Sequence, residues 1–256
     1  MGDTTIEWTD KSWNPVTGCD KVSPGCDNCY AESIAHRFAG TKSFPDGFDV
    51  TLRPERLTQP LRWRKPAKVF VNSMSDLFHK DIPDEYIARV FAVMAQAERH
   101  QFQVLTKRPG VMRSLLNSDD FGNLFGEALY ATPGPRSGGV QWPIPNVWLG
   151  TSIESDKYCW RADVLRETPA AVRFLSLEPL LGPLPSLNLI GIDWVICGGE
   201  SGPKSREMYP NWAYDIRDQC NAAGVPFLFK QWGGRTPKAN GRLLDGRTWD
   251  EYPREV

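Results

Sequence analysis

Short apolar runs separated by helical segments are the feature that most restricts how this chain can fold. Each run is mainly apolar, and the run at residues 69–72 has no polar alternation, which is typical of a strand buried on both faces of a parallel sheet. Six such runs cover residues 69–72, 102–106, 147–151, 172–177, 193–197 and 226–229. Between and around them the apolar spacing predicts helices over residues 28–40, 83–99, 109–116, 156–167 and 212–224.

The alternation of strand and helix predicts right-handed βαβ units and a largely parallel sheet. We expect a TIM-type (β/α) barrel, complete or partial, with six to seven parallel strands, the seventh lying within residues 6–17. An open doubly wound sheet is the alternative fold.

No repeat or linker divides the sequence, so we expect a single α/β domain over residues 1–256. We predict a cysteine-cluster loop at residues 18–30, and an irregular excursion at residues 118–146, which are rich in Gly and Pro. The C-terminal residues 233–256 are expected to form a hairpin tail, because their Asp-Gly pair is typical of a two-residue turn.

The charge balance excludes a protein that is drawn to nucleic acid or membrane by its overall field. Thirty basic residues face 31 acidic ones, which leaves a formal net charge of −1. The N-terminal residues lack the basic start and apolar run of a signal peptide, and no later segment is apolar enough for a transmembrane helix. We therefore expect a cytoplasmic protein without membrane contacts, where cysteines are more often metal ligands, catalysts or core residues than disulfides.

Residues 18–30, GCDKVSPGCDNCY, contain three of the six cysteines within a span of eleven residues. We name this segment the cysteine loop. Cys26 and Cys29 are close enough for one tight turn to aim both sulfurs at a common centre, and Cys19 returns across a Pro-Gly turn. Three converging thiolates predict a metal. A closed zinc site with His36 as fourth ligand and a [4Fe–4S] cluster with one open iron are the two candidates, and a position on a first βα loop favours the open site. The other three cysteines are expected to pack in the core: Cys159, Cys197 and Cys220.

Polar residues follow every apolar run, at the carboxyl end of each predicted strand. In parallel α/β folds these ends form the rim on which sites are built. The candidates are Ser73, Ser75, Asp76, Thr106, Lys107, Arg108, Thr151, Ser152, Glu154, Glu178, Gly198, Gly199, Glu200, Ser201, Lys230, Gln231 and Trp232. The two glycines permit a ligand to approach the backbone closely or the chain to adopt an unusual φ, and the carboxylate of Glu200 beside them can accept an ammonium group.

A basic segment at residues 53–68 surrounds Trp63, and this segment and the rim of strand ends are the regions that we expect to contact nucleic acid. Its cations are Arg53, Arg56, Arg62, Arg64, Lys65 and Lys68. Such a run can contact phosphates while the indole stacks on a base, or it can be a solvated connector with Trp63 tucked into the body.

Motifs along nearly the whole chain closely resemble a phage- and bacteria-associated three-cysteine protein family of unknown function. They are WNPVTGC, CDNCYAE, FVNSMSDLF, FQVLTKRP, NVWLGTS, LEPLLGP, WVICGGESGP and FLFKQWG. That family in turn resembles divergent radical S-adenosylmethionine enzymes, including the spore photoproduct lyase branch that repairs DNA. The spacer between the first two cysteines is longer here than in that superfamily, and its Gly-Gly-Glu motif usually follows an earlier strand.

The resemblance implies a [4Fe–4S] cluster on Cys19, Cys26 and Cys29 whose open iron binds S-adenosylmethionine and cleaves it reductively to a deoxyadenosyl radical. A lyase or oxidoreductase acting on or repairing nucleic acid is expected, with an electron donor such as flavodoxin or ferredoxin. Roles in this hypothesis are catalytic for Lys107, Glu178 and Lys230, cofactor-binding for Tyr30, Ser73, Asp76, Gly198, Gly199 and Glu200, and substrate-binding for Arg108, Ser152, Gln231 and Trp232. The alternative is a non-catalytic protein, stabilised by iron–sulfur or zinc, that binds nucleic acid or a phage partner.

Overall fold

A computed structural model describes residues 4–135 and 139–253 and shows an α/β fold. The strands are β1 Lys11–Trp13, β2 Val16–Thr17, β3 Thr51–Leu52, β4 Lys68–Val71, β5 Gln101–Thr106, β6 Val147–Ser152, β7 Val172–Leu177, β8 Trp194–Gly198 and β9 Phe227–Gln231. The helices are α1 Tyr30–Arg37, α2 Asp84–Gln96, α3 Pro109–Leu116, α4 Asp119–Ala131, α5 Trp160–Arg166 and α6 Pro210–Ala223.

Seven strands form one sheet in the order in which they occur along the chain, β1-β4-β5-β6-β7-β8-β9. The pairs β1–β4, β4–β5, β7–β8 and β8–β9 are parallel. A doubly wound sheet reverses its strand order partway, whereas a barrel adds each new strand beside the last. The predicted α/β fold of the partial TIM type is therefore confirmed, with a seventh strand inside residues 6–17. The short strands β2 and β3 form a separate antiparallel pair.

Contacts group the chain into two compact units, although the sequence shows no linker between them. The first unit comprises Met1–Asp20, Ala31–Leu149 and Thr168–Ala171. The second comprises Lys21–Tyr30, Gly150–Glu167 and Val172–Val256. The boundary falls inside the cysteine loop, directly after Asp20, so the two parts of that loop belong to different units.

Helix α2 covers the core of the first unit in the way its sequence predicts. It follows Pro83 and has two acidic residues in its first turn, where they complement the helix dipole. Its apolar face, which includes Ile87, Val90 and Phe91, is fully buried. The predicted helices over residues 83–99 and 109–116 are thus confirmed as α2 and α3.

The predicted irregular excursion at residues 118–146 is wrong, because its first half forms helix α4. The hydroxyl of Ser118 caps the helix by accepting the backbone N–H of Phe121 at 3.1 Å. Phe121 then meets the ring of Phe91 edge-on at 5.6 Å between centroids, and α4 packs against α2. Burial of these rings outweighs the low helix propensity of the two glycines in α4.

Strands β7, β8 and β9 are the core of the second unit, and nearly all of their side chains are buried. Cys197 on β8 and Cys220 on α6 are fully buried, which raises the pKa of both thiols, that of Cys220 to about 12. Helix α6 ends at Gly224, whose φ of +66° gives the left-handed cap that the sequence predicts. The three cysteines outside the cysteine loop are buried residues, as expected.

The C-terminal segment of the second unit contains a tight turn at its Asp-Gly pair. Asp245 and Gly246 both have positive φ, and Leu244 and Arg247 exchange backbone hydrogen bonds across them. Asp250 then forms an antiparallel bridge with Leu228 on β9. Residues 254–256 of the predicted tail lie outside the described residues. Within residues 4–135 and 139–253, the structure has no helix that is long and apolar enough to span a membrane.

Candidate metal and cofactor site

Cys19 lies in the first unit and is held there by its backbone. Gly18 donates its N–H to the carbonyl of Met74 at 2.9 Å, and Cys19 donates to the carbonyl of Phe48 at 3.2 Å. Gly18 has a φ of +88°, and a Cβ at this position would lie 2.1 Å from the carbonyl oxygen of Asp49. Only glycine fits this approach, so the glycine before the first cysteine fixes where the thiol stands.

Arg108 connects Cys19 to a buried carboxylate. Its Nη1 donates to the sulfur of Cys19 at 3.4 Å and to Oδ2 of Asp76 at 2.9 Å, and its Nη2 donates to the carbonyl of Asp20 at 3.1 Å. Burial works to lower the pKa of Arg108, but Asp76 and Cys19 outweigh it and raise that pKa. A cationic donor on the sulfur favours the thiolate, which is the form that binds metal.

Both carboxylate oxygens of Asp76 accept hydrogen bonds from the first unit. Besides Arg108, the donors are the hydroxyl of Thr106 at 2.7 Å and the backbone N–H groups of Lys107 and Phe78, both at 3.0 Å. The side chain is 8% exposed. Asp76 therefore fixes Arg108 and the chain after β5, and its predicted contact with a cofactor stays a prediction.

His79 and two aspartates form the group of described residues that most resembles a site for a single metal ion. One possible ligand atom from each of Asp20, His79 and Asp81 lies within 4.8 Å of the others. Nε2 of His79 is 3.0 Å from Oδ2 of Asp20, and its Nδ1 accepts the backbone N–H of Asp81 at 3.2 Å. Both ring nitrogens thus have hydrogen bonds. The buried imidazole holds the carboxylate of Asp20, the residue after Cys19, in place.

His36, the predicted fourth ligand of a zinc site, lies on helix α1 with 65% of its side chain exposed. Its Nε2 is 3.9 Å from Oε1 of Glu32, one turn earlier on the same helix. This spacing is that of an ordinary surface pair.

Cys26 and Cys29 lie in the second unit, on the part of the cysteine loop that contains a 3-10 turn at Pro24–Cys26. The backbone N–H of Cys26 closes this turn on the carbonyl of Ser23 at 2.8 Å. Cys29 directly precedes helix α1, and both thiols are partly exposed. The next residue, Tyr30, is 49% exposed.

Glu200 and Arg206 hold this part of the loop. Glu200 accepts the backbone N–H of Arg206 at 2.8 Å and its guanidinium at 2.9 and 2.5 Å, and it accepts the amide of Asn28 at 3.0 Å. The same guanidinium donates to the carbonyl of Pro24 at 2.8 Å and pairs with Asp27 at 3.4 Å. Burial works to raise the pKa of Glu200, but the bonds from Arg206 and Asn28 outweigh it and lower that pKa.

In the Gly-Gly pair before Glu200, the second glycine is required by the close approach of the chain itself. A Cβ on Gly199 would lie 2.1 Å from the carbonyl oxygen of Trp232, and a Cβ on Gly233 would lie 2.2 Å from that of Glu200. A Cβ on Gly198 would be 3.4 Å from Cβ of Lys230. The close approach at Gly199 is made by backbone of the same unit, and the approach of a ligand to these glycines stays a prediction.

Glu178 and Lys230 form a partly exposed ion pair at the ends of β7 and β9. Nζ of Lys230 is 2.5 Å from Oε1 of Glu178, and their side chains are 14% and 21% exposed. The amide nitrogen of Gln231 donates toward Glu178 at 3.3 Å, the carbonyl of Gly199 at 3.2 Å and the hydroxyl of Ser201 at 2.6 Å. Two of these partners are pure acceptors, which fixes the orientation of the amide. Its oxygen is buried and has no hydrogen-bond partner in the described part of the chain.

Glu154, one of the predicted rim residues, forms a fully buried pair with Arg161. Nη1 of Arg161 donates to Oε2 of Glu154 at 3.1 Å and to the carbonyl of Ser152 at 2.8 Å, and its guanidinium lies over the ring of Tyr158 at 4.3 Å. Glu154, Glu178 and Glu200 follow three successive strands, and a cation pairs with each of them.

Other predicted site residues have mainly internal contacts. The hydroxyl of Ser73 lies 3.2 Å from the amide of Asn14, and the indole of Trp232 donates to the carbonyl of Leu243 at 2.8 Å. Lys107 reaches Asp76 through its backbone. In the basic segment, Arg53 is buried and donates to Thr17, Lys42 and Ser43, so it is not available to phosphates.

Arg206 is the functional candidate that the sequence does not reveal. It lies in the loop after β8, and its partners Pro24 and Asp27 are 182 and 179 residues away in the chain. A run of glycines, serines and charges such as SGPKSRE has no periodicity from which such a contact can be predicted.

One comparison with known proteins gives a match. A family model described as "Protein of unknown function (DUF5131)" matches residues 3–253. The curated proteins and the solved structures contain no match.

Proposed function

We propose that this chain, which belongs to the DUF5131 family, is an iron–sulfur enzyme of the radical S-adenosylmethionine type. The observation that carries the proposal is a contrast between two sets of cysteines. Cys19, Cys26 and Cys29 share one short loop and are all partly exposed, whereas the other three cysteines are buried. Burial raises the pKa of a thiol and keeps it inert, while exposure on a common loop suits metal binding.

The donors of the cysteine loop suit a [4Fe–4S] cluster. Three thiolates are the set that leaves one iron open, and the hydrogen bond from Arg108 to the sulfur of Cys19 stabilises the ligating form of that thiol. A structural zinc site needs a fourth ligand. The candidate for that ligand, His36, is largely exposed and faces Glu32 on its own helix, so iron is the proposed metal.

When bound, a cluster with an open iron supplies an electron and a coordination position to S-adenosylmethionine. In the second unit, Lys230 and Glu178 are the proposed catalytic pair, because they are in hydrogen-bond contact and still reach solvent. As a polar substrate group approaches, Nζ of Lys230 can donate a hydrogen bond to it and Oε1 of Glu178 can accept one from it. Gln231 orients Glu178 and offers an unpartnered amide oxygen to a donor on the ligand.

Nucleic acid is the proposed substrate class, and the exposed cations Arg62, Arg64 and Lys65 are the candidates for phosphate contacts. Arg53 is excluded from this set because its guanidinium is used inside the first unit. We place the enzyme in the cytoplasm, where reducing conditions keep thiols free. Flavodoxin or ferredoxin is the proposed electron donor.

Metal analysis after anaerobic purification tests the cluster. We expect a brown protein with about four irons per chain and a charge-transfer absorbance that is lost in Cys26→Ala. Cys159→Ala is the matched control, because it removes a buried thiol outside the loop and should leave the iron content unchanged. A colourless protein with one stoichiometric zinc would contradict the proposal.

Turnover of the cofactor is a separate test. The reduced holoprotein should release 5′-deoxyadenosine and methionine from S-adenosylmethionine, and Lys230→Met should slow substrate conversion while cluster content is kept. If a brown, reduced protein releases neither product, the radical chemistry is wrong even though the cluster is right.

A further inference from the structure

The carboxylate of Glu200 is already saturated by the chain. Its Oε2 accepts from Asn28, from the backbone of Arg206 and from Nε of Arg206, and its Oε1 accepts from Nη2 of Arg206. The side chain is 5% exposed. A ligand ammonium would have to displace a charge-assisted bidentate bond in a buried position, which is among the stronger contacts that a protein makes.

All the partners of this carboxylate lead to the segment of the loop around Cys26. Asn28 donates from one nitrogen to Glu200 and to the carbonyl of Lys204, both at 3.0 Å. Arg206 donates to the carbonyl of Pro24 and pairs with Asp27. Three residues of the five-residue stretch 24–28 are therefore tied to one buried ion pair, on both sides of Cys26.

We propose that Glu200 and Arg206 are positioning residues, which hold residues 24–28 in one conformation so that Cys26 and Cys29 are presented to a metal together. The part of this proposal that concerns metal rests on the proposed function; the part that concerns the order of the loop does not. Without the contacts of Glu200 and Arg206, the metal itself has to order the loop, so the affinity of the site for metal falls. Glu200 then acts through Arg206 and Asn28 and does not contact the cofactor.

The first experiment uses the metal-free, reduced full-length protein and measures hydrogen–deuterium exchange by mass spectrometry. In Glu200→Gln and Arg206→Gln, amides of residues 21–30 should exchange about tenfold faster than in the wild type, because the loop opens more often. Asn28→Ala is a milder second variant that removes one arm of the tie and should give a smaller increase. Arg217→Gln is the matched control, since Arg217 forms surface pairs with Asp218 and Asp245 in the same unit. Unchanged exchange of residues 21–30 in all three loop variants overturns the proposal.

The second experiment titrates the same proteins with Co²⁺ and follows the thiolate charge-transfer band. We expect Co²⁺ to bind about tenfold more weakly in Glu200→Gln and Arg206→Gln. Arg206→Lys should restore part of the affinity, because it keeps the positive charge but cannot form the bidentate contact with the carboxylate. Wild-type affinity in Glu200→Gln together with loss of S-adenosylmethionine binding to the reconstituted protein would make Glu200 a cofactor contact and overturn the proposal. If the wild type binds neither Co²⁺ nor iron, the proposed function fails, and the exchange experiment still decides whether the tie orders the loop.

Discussion

Two carboxylate–arginine pairs, one in each unit, hold the two parts of the cysteine loop by different means. In the first unit Asp76 pairs with Arg108 at 2.9 Å, and in the second Glu200 pairs with Arg206 at 2.5 Å. Both carboxylates are buried and both arginines have additional acceptors on the loop. Arg108 donates to the sulfur of Cys19, whereas Arg206 donates to the carbonyl of Pro24 and pairs with Asp27.

The difference separates two tasks that a metal site needs. A cation on the sulfur changes the charge state of one thiol, which is a chemical effect on a side chain whose backbone is already fixed by Gly18. A cation on the backbone changes how often two thiols are in place, which is a conformational effect. We therefore expect substitutions in the first pair to alter the reactivity of a thiol, and substitutions in the second to alter the order of a loop.

The largest expected effect is on stability, from Asp76→Ala. The substitution leaves Arg108, the hydroxyl of Thr106 and two backbone N–H groups without their acceptor in a buried position. We expect the free energy of unfolding to fall by about 3–5 kcal/mol in urea denaturation. Asp163→Ala is the control, because its carboxylate is exposed and pairs with Arg166 at the surface, and it should cost about 1 kcal/mol or less. Equal losses in the two variants would show that the first pair is not a buried anchor.

The second effect, from Arg206→Leu, should be smaller because the side chain of Arg206 is 34% exposed, against 13% for the side chain of Arg108. Glu200 keeps only the amide of Asn28 and a backbone N–H as donors. We expect a loss of about 2 kcal/mol in the same denaturation measurement, after allowance for solvent screening. A loss as large as that in Asp76→Ala would mean that the two pairs do not differ in burial in the way the side-chain exposures indicate.

Sequence reasoning succeeds for elements whose pattern is local. The strand predicted at residues 172–177 has those same bounds, because a short and mainly apolar run is typical of a buried strand. Helix α4 was missed although Ser118 and two aspartates give it a cap and an acidic first turn. The glycines of this segment and the prolines after it favour an irregular structure. The helix forms because it packs against α2, which the sequence does not show.

For the candidate site, the sequence indicates the residue types but not their partners. The cysteines and strand-end glutamates can be found by spacing and by position after apolar runs. Arg206 and Asp27 are 179 residues apart in the chain, and Arg108 and Cys19 are 89 residues apart. No local sequence pattern predicts contacts between residues so far apart in the chain. The four hydrogen bonds that Glu200 accepts from the chain also depend on packing. The sequence does not show them, so from the sequence alone Glu200 is expected to be available to a ligand.

The third effect is a difference in thiol reactivity, which separates the two arginines directly. In Arg108→Gln, alkylation of Cys19 at neutral pH should slow about threefold to tenfold, because the thiolate loses its cationic donor. In Arg206→Gln, Cys26 should be alkylated faster and Cys19 at the wild-type rate, because only loop order changes. Peptide-resolved mass spectrometry of the metal-free protein measures both rates. If Arg108→Gln speeds alkylation of Cys19, that arginine shields the thiol and does not activate it.

The smallest effect is a pH dependence that belongs to the second pair. The pKa of Glu200 in the folded protein is lowered from its ordinary value of 4.5, since the hydrogen bonds from Arg206 and Asn28 outweigh the opposing effect of burial. A lowered pKa means that the unfolded chain binds the proton more tightly, so the stabilisation is fully present above the ordinary pKa and is lost as the pH falls through the folded value. The difference in unfolding free energy between the wild type and Arg206→Leu should therefore be constant from about pH 6 to pH 8 and shrink below about pH 4. Urea denaturation across this range measures it, and Arg217→Gln, whose partners are exposed, is the control. A difference that grows in acid would mean that Arg206 stabilises the unit through a group other than the Glu200 carboxylate.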